Sequence, residues 1–377
     1  MKRGENGQHR RIRVVQTVLD LEAGGLERVV ADLVRRLDPQ RFDVHVVALK
    51  FLGRHGEGLE RHATLHVAPA LPPWTMISPR PLAGLFRAIA PDVVHSHSGA
   101  WYKTALAARS ARVPVVIHTE HGRPDPDPWQ GRVLERIASY STDALIAVSA
   151  RLGEQMSSRV ASRCSIEVIL NGVDTDYFAP TQSAGMWRER IGIPDGAPVI
   201  GCVSRLDPIK DFPMLLEALA ILRRSWGGSV PPVLVIAGDG PERQHIGQLE
   251  AKWRLGGAVH SLGWVGETAG LYPLFDIFTL SSRSEGTSVA LLEAMSCGVC
   301  PVVTAVGGNP AILGPELESL LVSSGNAQAL ADRWRSVLTD PGTLAACRSA
   351  ARRRVIDEFS LDAMVARHES LYVRLSS

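Results

Sequence analysis

Residues 284–308 read SEGTSVALLEAMSCGVCPVVTAVGG. Two acids stand out in this largely apolar run: Glu285 beside a glycine, and Glu293 among Leu291, Leu292, Ala294 and Met295. The segment before it, FDIFTL (275–280), has the β-branched and aromatic character of a buried strand, and CPVVTA (300–305) reads as another. Between them SSRSEG reads as a loop and TSVALLEAMSC as a helix of about three turns. A strand, loop, helix and strand in succession form the building unit of a parallel sheet. Glu285 then falls in the loop before the helix, with Glu293 roughly two turns along it. An acid ahead of a helix is an ordinary neighbour favoured by the helix dipole. An acid on an apolar helix surface needs hydroxyls or a cation, because an unpaired buried carboxylate is costly.

The alternation extends along the chain in both directions. Strands are predicted at 11–18, 42–49, 65–68, 92–96, 114–119, 143–149 and 165–170, with helices near 26–37, 82–90, 100–111, 129–139 and 149–158. A polar, proline-containing stretch follows NGVDTDYFAP and runs to about 196, and APVIGCVS (197–204) restarts the pattern. Further strands are expected at 232–238, 258–263, 275–280 and 300–305, with helices near 212–225, 241–254 and 287–297 and a mainly helical tail from 326. This predicts an α/β protein of two doubly wound domains, whose ligands bind in loops at the carboxyl ends of the strands.

Composition agrees with two globular domains. A chain of 377 residues exceeds one ordinary core. Hydrophobic residues at 45%, charged residues at 21% and a net charge of +2 exclude disorder and give no nucleic-acid signature. The five cysteines, Cys164, Cys202, Cys297, Cys300 and Cys347, are scattered and odd in number, as in a reducing, cytoplasmic setting. The basic start MKRGENGQHRRIR has no apolar core of a signal peptide, and no run of 18 apolar residues occurs. Residues 1–180 hold 23 Lys+Arg against 19 Asp+Glu, a mild excess that suits either plain surface charge or anionic lipid headgroups.

The loops after strands carry the chemistry. Gly24 and Gly25, in LDLEAGGLERVV, precede a helix and permit close approach to an anion, or simply make a tight turn. Arg205 and Lys210, in CVSRLDPIKDF, suit a diphosphate, or pair with Asp207 and Asp211. Glu285 and Glu293, eight residues apart with Gly286 and a helix start between them, suit a polyol carrying phosphate. His95 and His97, in DVVHSHS, are packing or acceptor-side residues, since no further ligands stand at zinc spacing.

EGTSVALLE followed by AMSCGVCPVVTAVGGNP resembles the E-x7-E motif of the retaining glycosyltransferases of family 4. The GG loop, HTEHG (118–122), NGVD (171–174), SRLDPIKD (204–211), GDGPER (238–243) and SLGWV (261–265) match in family order across nearly the whole chain. The resemblance implies the GT-B fold: two facing Rossmann-like domains with parallel sheets and a C-terminal helical tail. It gives a disordered basic start at 1–10, an acceptor domain at 11–180, a linker at 181–196, a donor domain at 197–358 and a helix at 359–377 crossing back to the first domain.

The resemblance also implies roles. Glu285 would hold hydroxyls of the donor sugar, the amides of Gly286, Thr287, Ser288 and Val289 its phosphate, and Glu293 the ribose. Arg205 and Lys210 would neutralise the diphosphate without a metal or other cofactor. Gly24 and Gly25 would cover the phosphates, His121 would meet the sugar near the reacting carbon, and Gly240 and Trp264 would lie near the nucleotide base. His118 and Asn171 are acceptor-side candidates. Thr287 replaces the family's usual aromatic after the glycine and puts sugar choice in doubt. The implied partners are a UDP- or GDP-sugar and a glycan or lipid-linked acceptor, in polysaccharide or glycolipid synthesis. Segment 69–90, PALPPWTMISPRPLAGLFRAIA, would rest on the inner membrane face, or serve as a loop and core helix. Three other readings stand beside this one: a nucleotide-sugar 2-epimerase of the same fold, a sugar-nucleotide sensor without turnover, and a thiol redox protein built on Cys297 and Cys300. The last is disfavoured because its CxxC closes a helix instead of opening one.

Overall fold

The computed structural model describes residues 10–22, 24–122, 129–161 and 163–377. Of the expected disordered start, all but Arg10 lies outside the described residues. The chain divides into two compact units, Met1–Asn171 with Leu361–Ser377, and Gly172–Ser360.

The first unit contains β1 (Ile12–Asp20), α1 (Gly25–Arg36), β2 (Phe42–Phe51), β3 (Thr64–Val67), α2 (Arg80–Ile89), β4 (Val93–His97), α3 (Trp101–Ser110), β5 (Val115–Glu120), α4 (Trp129–Ser139), β6 (Ala144–Ala147), α5 (Ala150–Ser157) and β7 (Ser165–Val168). Its parallel sheet has the order β3-β2-β1-β4-β5-β6-β7. The strand order reverses between β1 and β4, which is where an open α/β sheet leaves a crevice at its carboxyl edge. Every residue of β4 and β5 is buried, because helices cover both faces.

The second unit contains α6 (Ala184–Ile191), β8 (Val199–Val203), α7 (Phe212–Arg224), β9 (Val233–Ala237), α8 (Arg243–Trp253), β10 (Val259–Gly263), β11 (Ile277–Leu280), α9 (Val289–Ser296), β12 (Cys300–Thr304), α10 (Asn309–Leu313), β13 (Leu321–Val322), α11 (Ala327–Leu338) and α12 (Pro341–Glu358). Its order, β10-β9-β8-β11-β12-β13, reverses between β8 and β11. The Asp211 carboxylate caps α7 by accepting from Met214 N at 3.3 Å, and Pro213 fits the first turn, where its missing N–H costs nothing.

The units meet in sequence at Asn171/Gly172, ahead of the expected 180/181. Residues 172–183 join the second unit because Val173 N donates to Phe359 O at 2.9 Å and the Ser296 hydroxyl to Phe178 O at 2.6 Å. The expected linker at 181–196 contains α6, which has no buried residue and so no apolar stripe to announce it. The last helix, α13 (Leu361–Ser376), belongs to the first unit, and its Tyr372 is fully buried there.

Segment 69–90 departs from a membrane-resting surface. In α2, Leu82, Ala83, Phe86 and Ile89 face the core, and of the segment's large apolar side chains only Ile77 is described as strongly exposed, at 88%. The side chain of Trp74 lies outside the described residues. No described helix is long and apolar enough to cross a membrane.

Candidate active site

In the second unit the loops after β8 and β11 are sewn together. The Ser281 hydroxyl donates to Lys210 O at 2.7 Å, and Arg283 N to Ile209 O at 2.8 Å. Arg283 Nε donates to Asp211 Oδ2 at 2.8 Å. This stitching holds Lys210 Nζ 2.6 Å from Glu285 Oε1, with the Ser282 hydroxyl donating to the same oxygen at 2.5 Å. The two side chains are 17% and 8% exposed, so the ion pair is largely withdrawn from water.

Beneath Glu285 the β12–α10 turn approaches at backbone distance. Gly307 has φ +55°, and a Cβ there would stand 1.7 Å from Glu285 O, so only glycine fits. Gly308 N donates to Gly286 O at 3.0 Å. The stretch Gly286–Val289 is thereby fixed at the start of α9, where the Ser288 hydroxyl caps the helix by accepting from Leu291 N. The first amides of α9 have no partner within the helix and form an anion-seeking end.

Glu293 is buried at 7% exposure and accepts the Tyr272 hydroxyl at 2.6 Å. Burial, together with that carboxylate, raises the Tyr272 pKa well above the ordinary phenol value. The hydroxyl partner demanded by the sequence is therefore supplied by the protein itself. Arg205 shares a loop with Lys210 but turns to Asp207 at 3.2 Å, with its side chain 67% exposed. Gly240 has φ +154° and lets the β9–α8 loop lie against Leu206 O, which a Cβ would meet at 2.4 Å. Trp264 follows β10 and lines a cavity of about 560 Å³ with Trp187, Arg190, His260 and Glu267.

In the first unit His121 follows β5. Its Nε2 lies 3.1 Å from His97 Nδ1, and burial pushes its pKa down to about 3, so the ring is neutral. His118 is completely buried, stacked on Trp101 at 4.2 Å and 5°, with Ser96 Oγ 3.0 Å from its Nδ1. It packs in the core of the first unit. Asn171, also buried, is the last residue of the unit before the chain leaves it. Gly24 precedes α1 and Gly25 opens it, with no side chain capping the helix. Arg28 N instead donates to Gly24 O at 3.1 Å.

Cys297 and Cys300 are both buried free thiols at the exit of α9. Burial pushes the Cys297 thiol up to about 12, and the neighbouring Cys347 together with burial raises that of Cys300. The sequence reading did not single out Tyr272, Ser282 or the buttressing role of Gly307 and Gly308. The glycine pair that ends AVGG (305–308) is the visible signal for the last two.

Comparison with known proteins accords with this architecture. The pattern described as Glycosyltransferase Family 4 matches residues 23–177, and that described as Glycosyl transferases group 1 matches residues 185–354. An Escherichia coli UDP-Gal:alpha-D-GlcNAc-diphosphoundecaprenol alpha-1,3-galactosyltransferase is 26% identical, over 97% of this chain and 97% of its own. A Mycolicibacterium smegmatis GDP-mannose-dependent alpha-(1-6)-phosphatidylinositol monomannoside mannosyltransferase is 29% identical, over 89% of this chain and 90% of its own. Among solved structures, Anabaena HepE in complex with UDP superimposes with a TM-score of 0.82 at 20% identity, covering 96% of this chain and 100% of that one. Sucrose-phosphate synthase from Thermosynechococcus elongatus gives 0.80 at 20% identity, covering 97% and 99%. With both units matched in order and the fold shared, the chain belongs to family 4 of the glycosyltransferases, enzymes of the GT-B fold.

Proposed function

We propose that this glycosyltransferase moves a hexose from a UDP- or GDP-sugar to a lipid-linked or glycan acceptor, with retention of anomeric configuration and without a bound metal. The observation that carries the reading is the shielded Lys210–Glu285 pair beside the start of α9. A fixed ammonium and a helix N-terminus together offer positive potential to a departing diphosphate, the task a divalent cation performs elsewhere. Glu285 has accepting capacity beyond the oxygen shared by Lys210 and Ser282, and sugar hydroxyls are the donors it suits. Neutral His121 contacts the sugar as hydrogen-bond partner, not as a charged acid. The named relatives use UDP-galactose and GDP-mannose, and their acceptors carry lipid diphosphate or phosphatidylinositol. That pairing supports a lipid-linked acceptor and leaves the base to experiment.

The test is incubation of the purified enzyme with UDP-Gal, UDP-Glc, UDP-GlcNAc and GDP-Man, with a polyprenyl-diphosphate sugar as acceptor and with EDTA present throughout. One donor is expected to give a product whose new linkage keeps the donor's anomeric configuration by NMR. An inverted linkage, abolition by EDTA, or epimerised donor in place of product would overturn the corresponding part of the reading.

A lipid-linked acceptor requires approach to a bilayer, and α4 has the surface for it. Trp129, Val133, Ile137 and Tyr140 recur at helical spacing and are 66%, 49%, 42% and 51% exposed. Arg132 and Arg136 flank them, and Arg136 and Arg163 both lie over the Tyr140 ring. Apolar and aromatic side chains ringed by arginines match the boundary of an anionic leaflet.

A further inference from the structure

Below His121 lies a chain of buried polar groups that ends on the C-terminal helix. Gln16, His95, His97, Thr119 and Tyr372 are each at most 2% exposed, so every proton among them must be placed. Gln16 Nε2 donates to the Tyr372 hydroxyl at 2.9 Å. That hydroxyl lies 2.7 Å from His95 Nδ1 and gives its own proton there. His95 then carries its proton on Nε2, which donates to Thr119 Oγ1 at 2.6 Å. With its nitrogen committed to Tyr372, Gln16 presents only Oε1 to His97 Nε2, at 2.9 Å, and His97 must donate. His97 Nδ1 is left bare and accepts His121 Nε2–H at 3.1 Å. His121 Nδ1 is out of contact with solvent and has no partner among the described residues. Burial keeps all three imidazoles neutral, since the pKa values of His95 and His97 lie well below the ordinary histidine value.

We propose that Gln16 and Tyr372 are positioning residues of this transferase: acting through His97, they fix His121 as the Nε2–H tautomer and leave Nδ1 as a lone pair for a hydroxyl of the sugar in transit. The proposal rests on the reading of His121 as a sugar contact. Its logic is directional. Turning the Gln16 amide over reverses each hydrogen bond in turn and puts the proton on His121 Nδ1, where it would repel the donor hydrogen it now receives. Tyr372 meets the amide in this sense, its oxygen accepting from Gln16 Nε2. The C-terminal helix thus completes a catalytic tautomer from within the first unit.

Long-range 1H–15N spectra of the 15N-histidine-labelled protein test the proposal, with the His121 signals assigned through a His121→Gln variant. In the unaltered protein a proton on Nε2 is expected; a proton on Nδ1, or an even mixture, overturns the proposal without any variant. Tyr372→Phe and Gln16→Met are expected to move His121 toward a tautomer mixture. Both should lower kcat by about 10–100-fold with little change in the donor KM, as misplacement of a reacting contact does. If His121→Ala is impaired while Tyr372→Phe and Gln16→Met keep both the wild-type kcat and the wild-type His121 spectrum, the positioning role is excluded and the sugar contact stands. Wild-type kcat in His121→Ala excludes the sugar contact itself.

Discussion

Lys210 and Glu285 perform two tasks that mutation can separate. As a shielded pair they hold two loops in register, and on the function proposed above the ammonium beside the helix start also faces the departing diphosphate. Replacing Lys210 by Met leaves the Glu285 carboxylate with the Ser282 hydroxyl as its side-chain donor, and a stranded, largely buried charge costs on the order of 3 kcal/mol. Adding Glu285→Gln removes that charge, so the double variant should recover most of the lost thermal stability. It should not recover activity: kcat/KM is expected to stay about 10²–10³-fold down, the usual loss when one fixed donor to a developing charge is removed. Melting temperature and kcat/KM measured across the four proteins of the cycle decide the matter. Activity that returns together with stability would make the pair purely structural. Glu293 teaches the complementary lesson. The apolar run around it declared correctly that a partner must exist, but nothing in 284–308 names Tyr272, which arrives from the loop before β11.

Helix α4 is turned the opposite way from α2. In α2 the apolar residues are packed inward, while the row of Trp129, Val133 and Ile137 on α4, continued by Tyr140 just past its end, faces water. If that row enters a leaflet, each side chain contributes up to roughly 1.5–3 kcal/mol when fully buried and each nearby arginine about 1 kcal/mol. The variant Trp129→Ser with Ile137→Ser is expected to lose at least about tenfold in affinity for vesicles containing anionic lipid while keeping its rate on a water-soluble acceptor analogue. Undiminished co-sedimentation at low salt would remove α4 from the membrane contact. Sequence periodicity could find both helices but not tell their faces apart, because a stripe looks the same whether it faces core or solvent. The strands were legible to within a residue or two, since buried parallel strands are continuous β-branched runs such as Val115–Glu120. Three elements escaped for identifiable reasons. Strand β13 has only two residues, α10 only five, and α6 buries nothing. The loops of the site were legible as motifs, but their stitching through Ser281, Arg283 and Gly308 depends on contacts that no local pattern records.

The molecule distributes its buried histidines unevenly, and acid should expose the imbalance. His95, His97, His121 and His368 all belong to the first unit, with His121 held at about 3 and His368 at about 4 by burial. Unfolded, each takes a proton below its ordinary value near 6.5, whereas the folded form refuses it. The unfolded state therefore binds more protons, so the stability these groups allow is complete above about pH 6.5 and falls as pH drops toward 4. The slope is about 1.4 kcal/mol per pH unit for each histidine engaged. Between pH 7 and 5, hydrogen exchange is expected to show β4 and β5 losing protection before β11 and β12. Equal loss in both sheets would contradict this. The placement of α13 carries a consequence in time as well. Gln16 is made early and its partner Tyr372 some 350 residues later, after the entire second unit. At roughly 5–20 residues per second a growing chain waits on the order of 20–70 s between the two. During synthesis Gln16 waits for its partner, and on the reading proposed above His121 acquires its proton pattern only when α13 docks.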